Sequence, residues 1–532
     1  TRIILTIKTT RIILTIKTTR IILTIKTTRI ILTIRITRII RKKITILIRI
    51  IKTVTHTTIA KNLIHITTGH RIGHRIGHQT KVGGLKIFNM KKHTLLLICL
   101  SFFSTLKGQN HVDALRYSFL EPLGTARYSA LSGSFNSLGG DIGIIQSNPA
   151  SLAIYRNNEV SFSLNSTNKS TKSKSPGFQS QSDLQKIYLQ NLGYVKTFNK
   201  KETSGWNRFS WALTFNRLQN LNQTITTSGE TSSSRINNFL ESAQGIHPDD
   251  LNPFSESLAY YTWLIDTIND PLMYESPFDN ITGSSHDGII NRFGFIDESA
   301  FSLSAAYNDK LFIGLQLGFS EIDYRETVYY SENNFHGYEN SSYEAGELTS
   351  FSYNQDLYVL GAGLNYKIGL IFKPFYWIRI GLAHHSKTYY DLDENWSTSL
   401  STEFSSGDIY TEYSPEGFGS YQLSTPSKSI TGISFILLRK GLVSIDMEHI
   451  DYGSANLSAN YYDFTNENSN ISTYYRNVTN IKMGFEWKFG NIAIRQGFAF
   501  FESPFSNDIN DYSITQNSFG IGYQENQYFV DF

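Results

Sequence analysis

From Glu159 onward the chain repeats one pattern, an apolar residue at every second position with a small or polar residue between. Val160, Phe162 and Leu164 alternate with Ser161, Ser163 and Asn165. Ile313, Leu315, Leu317 and Phe319 alternate with Gly314, Gln316 and Gly318. Ile481, Met483, Phe485 and Trp487 alternate with Lys482, Gly484, Glu486 and Lys488. A period of two means a strand with two chemically different faces. Such strands are read near 159–167, 187–198, 207–219, 299–307, 311–328, 353–368, 375–390, 428–438, 441–459, 473–489, 492–503 and 514–524, and another opens at Gln527.

The connections alternate as well. Asn308-Asp309-Lys310, the turn at Arg439-Lys440, Gly490-Asn491 and Gln524-Glu525-Asn526 are tight. Between them lie long, polar, acidic connections, the longest running from about Gln219 to Glu298. A soluble sandwich has no reason to put every long loop at one end, whereas an outer-membrane barrel has short turns on one side and long loops on the other. No apolar run after the first hundred residues approaches the ~20 that a membrane helix needs. A closed barrel is the other structure that satisfies its backbone in lipid. The fold class read here is therefore all-β, a transmembrane antiparallel β-barrel. Gln527 to Phe532 is short for a spanning strand of ~9–11 residues, and bacterial single-chain barrels have even strand numbers. Fourteen strands are expected, with the last one or two incomplete in this chain.

Charge separates the first part of the chain from the rest. Residues 1–112 hold 22 of the 49 Lys and Arg and no Asp or Glu, so the remaining 27 basic residues face all 45 acidic ones. The basic total is no argument for nucleic-acid binding, and no nucleic-acid partner is expected. Residues 1–27 are three perfect copies of TRIILTIKT, and residues 1–89 are read as a non-native or spurious repeat leader. Residues 90–108 read as a secretory signal peptide, with Lys91 and Lys92 before the apolar run Leu95 to Phe103. The one cysteine, Cys99, lies inside that segment, so the body carries no disulfide and no cysteine-ligated metal.

Between the signal peptide and the first strand lies Leu131 to Arg156, LSGSFNSLGGDIGIIQSNPASLAIYR. Asn148 is a candidate helix N-cap and Pro149 suits a first helical position, which predicts a short helix over Pro149 to Tyr155. The glycines, Gly139 and Gly140 among them, permit φ > 0 and close backbone approach. Residues 109–157 are read as one hatch inside the barrel of 158–532, with Gly139, Gly140, Asp141, Asn148, Pro149 and Ala150 as candidate gating residues.

Asp113-Ala114-Leu115-Arg116-Tyr117, Gly124-Thr125-Ala126-Arg127, Leu138-Gly139-Gly140-Asp141 and Asn148-Pro149-Ala150 stand in order along this segment. Tyr421 to Pro426, Ile445 to Tyr452 and Arg495 to Phe500 with Ser503-Pro504 follow later. Together they resemble the FadL/TodX outer-membrane transport proteins, in the Bacteroidetes branch often labelled hemin receptors. The resemblance implies a 14-stranded barrel with an N-terminal hatch. It further implies passage of hydrophobic molecules from an outer groove to a kinked strand and a lateral wall opening. Ser151 departs from it, since the family usually has Gly after Asn-Pro-Ala.

Other chemistry is weakly indicated. His384 and His385 are adjacent on a strand and point to opposite faces, so they do not chelate one metal. Asp391-Leu392-Asp393-Glu394 reads as a solvated loop. No Gly-x-Ser-x-Gly elbow, phosphate loop or metalloprotease helix is found. No enzyme activity, metal or cofactor is expected. The function read is passive, hatch-gated uptake of small hydrophobic compounds (fatty acids, aromatic hydrocarbons or hemin) across the outer membrane. Its expected partners are outer-membrane lipids, a hydrophobic small-molecule ligand and the barrel-assembly machinery. The alternative is a barrel component or partner of a secretion apparatus.

Overall fold

The alternation of the sequence is the ladder of one large antiparallel sheet. The computed structural model describes residues 111–532 except 176–177, 201–204, 269, 277, 279–282, 337–345, 439 and 507–510. Residues 1–110, on which the expected repeat leader, the expected signal peptide and the first two residues of the expected hatch fall, lie outside the described residues.

The wall begins with β1 (Glu159–Ser175), β2 (Phe178–Asn199), β3 (Trp206–Asn220) and β4 (Gln223–Thr231). A small hairpin, β5 (Asp266–Ile268) and β6 (Asp270–Glu275), belongs to the long loop. Three long strands follow, β7 (Gly283–Tyr307), β8 (Leu311–His336) and β9 (Leu348–Phe375). After them come β10 (Ile378–His385), β11 (Tyr389–Phe404), β12 (Ile409–Tyr413), β13 (Gly417–Ser424) and β14 (Lys428–Leu437). The last are β15 (Gly441–Asp451), β16 (Asn456–Ser458), β17 (Asn477–Phe489), β18 (Ile492–Phe501), β19 (Ile514–Glu525) and β20 (Tyr528–Asp531).

Several of these are halves of one wall position. Both β3 and β4 pair with β7, and both β10 and β11 pair with β9. β13 and β14 continue each other beside β11 and β10. Counted so, the wall has the strand positions the alternation predicts, ending in the short β20. Within the described residues, α1 (His111–Ser118) and α2 (Ala126–Ala130) lie in the hatch, α3 (Ile236–Ala243) and α4 (Glu256–Tyr261) in the long loop, and α5 (Thr465–Tyr474) before β17. None of these helices is long and apolar enough to cross a membrane.

Two corrections concern extent. β8 has 26 residues, about two and a half times the ~9–11 of a tilted spanning strand. The segment Asp391 to Glu394 is not a loop but part of β11.

The reason lies in a change of polarity along each long strand. From Leu311 to Phe319, the outward residues of β8 are apolar and exposed, while Gln316 and Gly318 face in. From Glu321 the sense reverses, with Glu321 and Arg325 outside and Ile322 and Tyr324 fully buried inside. β9 changes at the same height, from Lys367 and Asn365 inside to Val359, Tyr353 and Phe351 inside.

The lower storey, apolar outside and polar inside, is a lipid-spanning wall. Exposed Trp206, Tyr307, Phe375, Trp377 and Phe489 lie at its turn end, as an interfacial girdle does. The upper storey is a water-facing tower with its own core. α3, α4 and the β5–β6 hairpin cap that tower, where Ile236, Phe239 and Leu258 pack against Phe351, Tyr353, Leu400 and Phe404.

One feature interrupts the wall. β10 stops at His385 and β11 resumes at Tyr389, β13 stops at Ser424 and β14 resumes at Lys428, and β15 stops at Asp451 before β16 at Asn456. These gaps are neighbours, so three adjacent strand positions lose their ladder at one height. Pro426, which has no N–H to offer a ladder, lies in the middle. Thr388 and Thr425 replace the lost pairing with two bonds of 3.0 Å, and the Lys387 ammonium donates to the Ser454 carbonyl at 2.8 Å.

Candidate functional site: the hatch and its seat

The hatch lies inside the lower storey. Its residues meet wall glycines from β2 to β19, which requires the sheet to curl around it. A Cβ added at Gly314 would strike the Pro149 carbonyl, and one at Gly369 the Asn148 side chain. At Gly381 it would strike Asn136, at Gly484 and Gly497 the backbone or side chain of Leu131, at Gly520 Ala130, and at Gly193 Ile142. Several of these face each other across the ladder: Gly314 with Gly369, Gly381 with Gly432, and Gly484 with Gly497. The wall is thus thinned to bare backbone where the hatch rests on it.

The candidate residues fall into two groups. Asn148 caps a 3-10 helix over Pro149–Ile154, its Oδ1 accepting from the Ala150 N–H at 3.0 Å. The predicted helix is present, in the tighter 3-10 form and one residue shorter. The Asn148 amide also donates to the Asn136 carbonyl at 2.7 Å, tying two hatch turns together. Ala150 and Ala153 pack on Ala306, Phe312 and Ile371 of the wall. These residues, with Pro149, meet the seat.

Gly139, Gly140 and Asp141 form a separate turn. Gly139 and Gly140 have φ of +77° and +76°, the left-handed region that glycine enters without cost. Asp141 caps the next turn, accepting from the Gly143 N–H at 2.8 Å and the Thr125 hydroxyl at 2.7 Å. Burial pushes its carboxyl up, against the pull of Arg127 and of these two donors.

Wall side chains pin the hatch. Arg208 donates to the Ala153 carbonyl at 2.9 Å and Arg379 to the Leu138 carbonyl at 2.6 Å. A ring nitrogen of His385 lies 2.7 Å from the Ser147 carbonyl, so His385 faces in while His384 bonds Ser429 outside. Arg127 of the hatch makes a two-pronged pair with Glu486, at 2.8 and 3.1 Å, and Glu486 also takes Arg495 at 2.6 Å. Ser137 bonds Ser434, and Ser132 bonds Ser518 at 2.7 Å. Asp446 accepts from two successive backbone N–H groups, Phe135 at 2.7 Å and Asn136 at 2.8 Å.

The sequence reading placed none of these wall pins, nor the wall glycines. Each was visible only as a small or polar residue on the inward side of an alternating strand. A usable signal existed in the recurrence of an inward glycine on strand after strand.

Between two parts of the hatch, Tyr117 to Pro122 and Gln146-Ser147, and the interrupted wall is a cavity of about 90 Å³ lined by Lys367, Lys428, Lys482, Glu298, Glu448 and His385 among others. Its charges are paired: Lys367 with Glu298 at 2.5 Å, and Lys428 and Lys482 with Glu448 at 3.3 and 3.2 Å. Ligand pockets run to ~300–1,000 Å³, so this space holds a few waters and offers no passage. Higher still the interior becomes apolar. There Ala114, Tyr117 and Phe119 of the hatch fill a chamber of Ile322, Tyr324, Val359, Leu392 and Leu423.

No family model matches the chain, and no curated relative does. Solved structures do. The toluene transporter TodX of Pseudomonas putida is similar at 14% identity and a TM-score of 0.45, over 77% of this chain and 91% of its own. A FadL homologue of Pseudomonas aeruginosa has 13% identity and a TM-score of 0.45, over 78% and 89%. The toluene transporter TbuX of Ralstonia pickettii has 13% and 0.40, over 78% and 92%. At these values the function has to be read from the chain's own residues.

Proposed function

We propose that the chain is a passive outer-membrane channel for small hydrophobic compounds, held here in its closed state by the hatch. The observation that carries this is the two-storey interior. An apolar chamber lies above the membrane, and directly beneath it a polar lumen is filled by a segment resting on glycines. A hydrophobic solute that displaces Ala114, Tyr117 and Phe119 from this apolar core is stabilised there by burial, at roughly 25 cal/mol per Å² of apolar surface. It goes no further while the hatch is seated, because the cavity directly beneath that core is small and charged. Hatch movement is the step that links the chamber to the lower storey. Gly139 and Gly140 supply a flexible turn, and Asn148-Pro149-Ala150 the part that lifts from the wall.

The test is uptake of radiolabelled toluene and of decanoate into vesicles carrying the folded barrel. Ser137→Cys with Ser434→Cys would tether hatch to wall. Saturable uptake that stops on oxidation and returns with reductant is expected. Undiminished uptake in the tethered protein, or uptake unchanged in a correctly folded barrel lacking 113–156, would sink the gating.

A further inference from the structure

We propose that Asp446 is the positioning residue that keeps the hatch seated. This rests on the channel reading above and names the wall group on which closure turns.

Most other wall pins hold a single hatch carbonyl or hydroxyl through a single bond. Arg127–Glu486 joins side chain to side chain and so leaves the hatch backbone free to shift. Asp446 differs in three ways. One carboxyl oxygen accepts from two adjacent backbone N–H groups, at 2.7 and 2.8 Å, so its loss leaves two buried donors without a partner at once. The side chain has no room to follow a departing hatch, because its other oxygen occupies the place a Cβ on Gly432 would take. Finally, the residue it holds is a junction. Asn136 presses on Gly381, and its carbonyl accepts from Asn148, the cap of the Pro149–Ile154 turn. Release at Asp446 therefore frees the Asn136 turn and the Asn148 cap together.

Its position also suits a gate. Lys482, the cross-strand partner of Asp446, carries its ammonium to Glu448 on the cavity wall. The pin is thus one cross-strand pairing away from the cavity lining. Among the described residues no hatch carboxylate meets the Phe135 and Asn136 N–H groups, which both go to Asp446.

The experiment is single-channel conductance of the full chain in planar bilayers, comparing Asp446→Ala and Asp446→Asn in otherwise native barrels and in the Ser137→Cys, Ser434→Cys background. Asp446→Ala should raise the open probability about tenfold or more, the scale of a buried bond pair lost on one side only. Asp446→Asn keeps an acceptor oxygen and should fall between Ala and the native protein. Oxidation of the cysteine pair should close Asp446→Ala again. If Asp446→Ala inserts poorly, maleimide labelling of Ser134→Cys in detergent gives the same comparison, with faster labelling expected when Asp446 is absent. Native-like opening or labelling in Asp446→Ala, with the tether still blocking toluene uptake, overturns the role of Asp446 and leaves the channel reading standing. Equal opening in the Ala and Asn variants also overturns it. A tether without effect on uptake brings down both.

Discussion

The lower and upper halves of β7, β8 and β9 use the same backbone and the same period of two, with the sense inverted. Below Phe319 a leucine points out and a glutamine in. Above it a glutamate points out and an isoleucine in. The ladder runs through the reversal without a register shift, Phe319 pairing with Leu364 and Ile322 with Gly361. Backbone pairing is thus indifferent to which face is apolar, and solvent decides. Where lipid surrounds the wall, apolar side chains face out and the inside must find hydrogen bonds. Where water surrounds it, the inside becomes an ordinary core. The height of the membrane is therefore written in the strands as a change of phase.

The largest expected effect falls on the upper core. Tyr324, fully buried beside Tyr117 and the Arg116 guanidinium, should cost about 3–5 kcal/mol on truncation to Ala, the range for a buried aromatic. Denaturant unfolding of the barrel in vesicles measures it. A loss below about 1 kcal/mol would mean that the tower has no real core. Next comes the lipid face, where Leu315→Arg should cost about 2–4 kcal/mol near mid-belt. The same assay with Arg placed at exposed Glu321 should show little change, and equal costs would erase the boundary.

Gly369→Ala should cost about 1–3 kcal/mol, since the methyl has to displace the Asn148 side chain. Its signature is faster proteolysis within 111–157 while the wall stays folded. The smallest effect belongs to Glu321→Leu, one step above the belt. It should stay within about 0.5 kcal/mol, the range for most exposed surface positions.

The lower storey was legible because its alternation is strong and its tight turns carry Asn, Asp and Gly. The helix at Ile236–Ala243 was also readable from its spacing. The upper extensions were not. In Thr327-Val328-Tyr329-Tyr330-Ser331 both faces carry amphipathic residues, and a search for apolar-out strands meets the opposite phase there. Asp391 to Glu394 was read as a loop for the same reason: its acids face water and Leu392 faces the core. The hatch was legible as a glycine-rich segment before the first strand, and Asn148 as a cap. Its seat was not, because Gly314 and Gly369, or Asp446 and Arg379, become partners only through pairings that run between different strands and back to the hatch.

The glycine seat has one more consequence. Side chains that interlock must be drawn out of their sockets, and each socket left behind is a void. Backbone resting on backbone leaves nothing to extract. Along the glycines, unseating this hatch therefore needs the rupture of polar bonds, and packed apolar contact has to be separated only at patches such as Ala150 and Ala153 on Phe312 and Ile371. The ease of opening then scales with the tally of those bonds, so single substitutions at Arg208, Arg379 or Ser434 would shift it by steps while leaving the wall, and the shape of the passage, as they are.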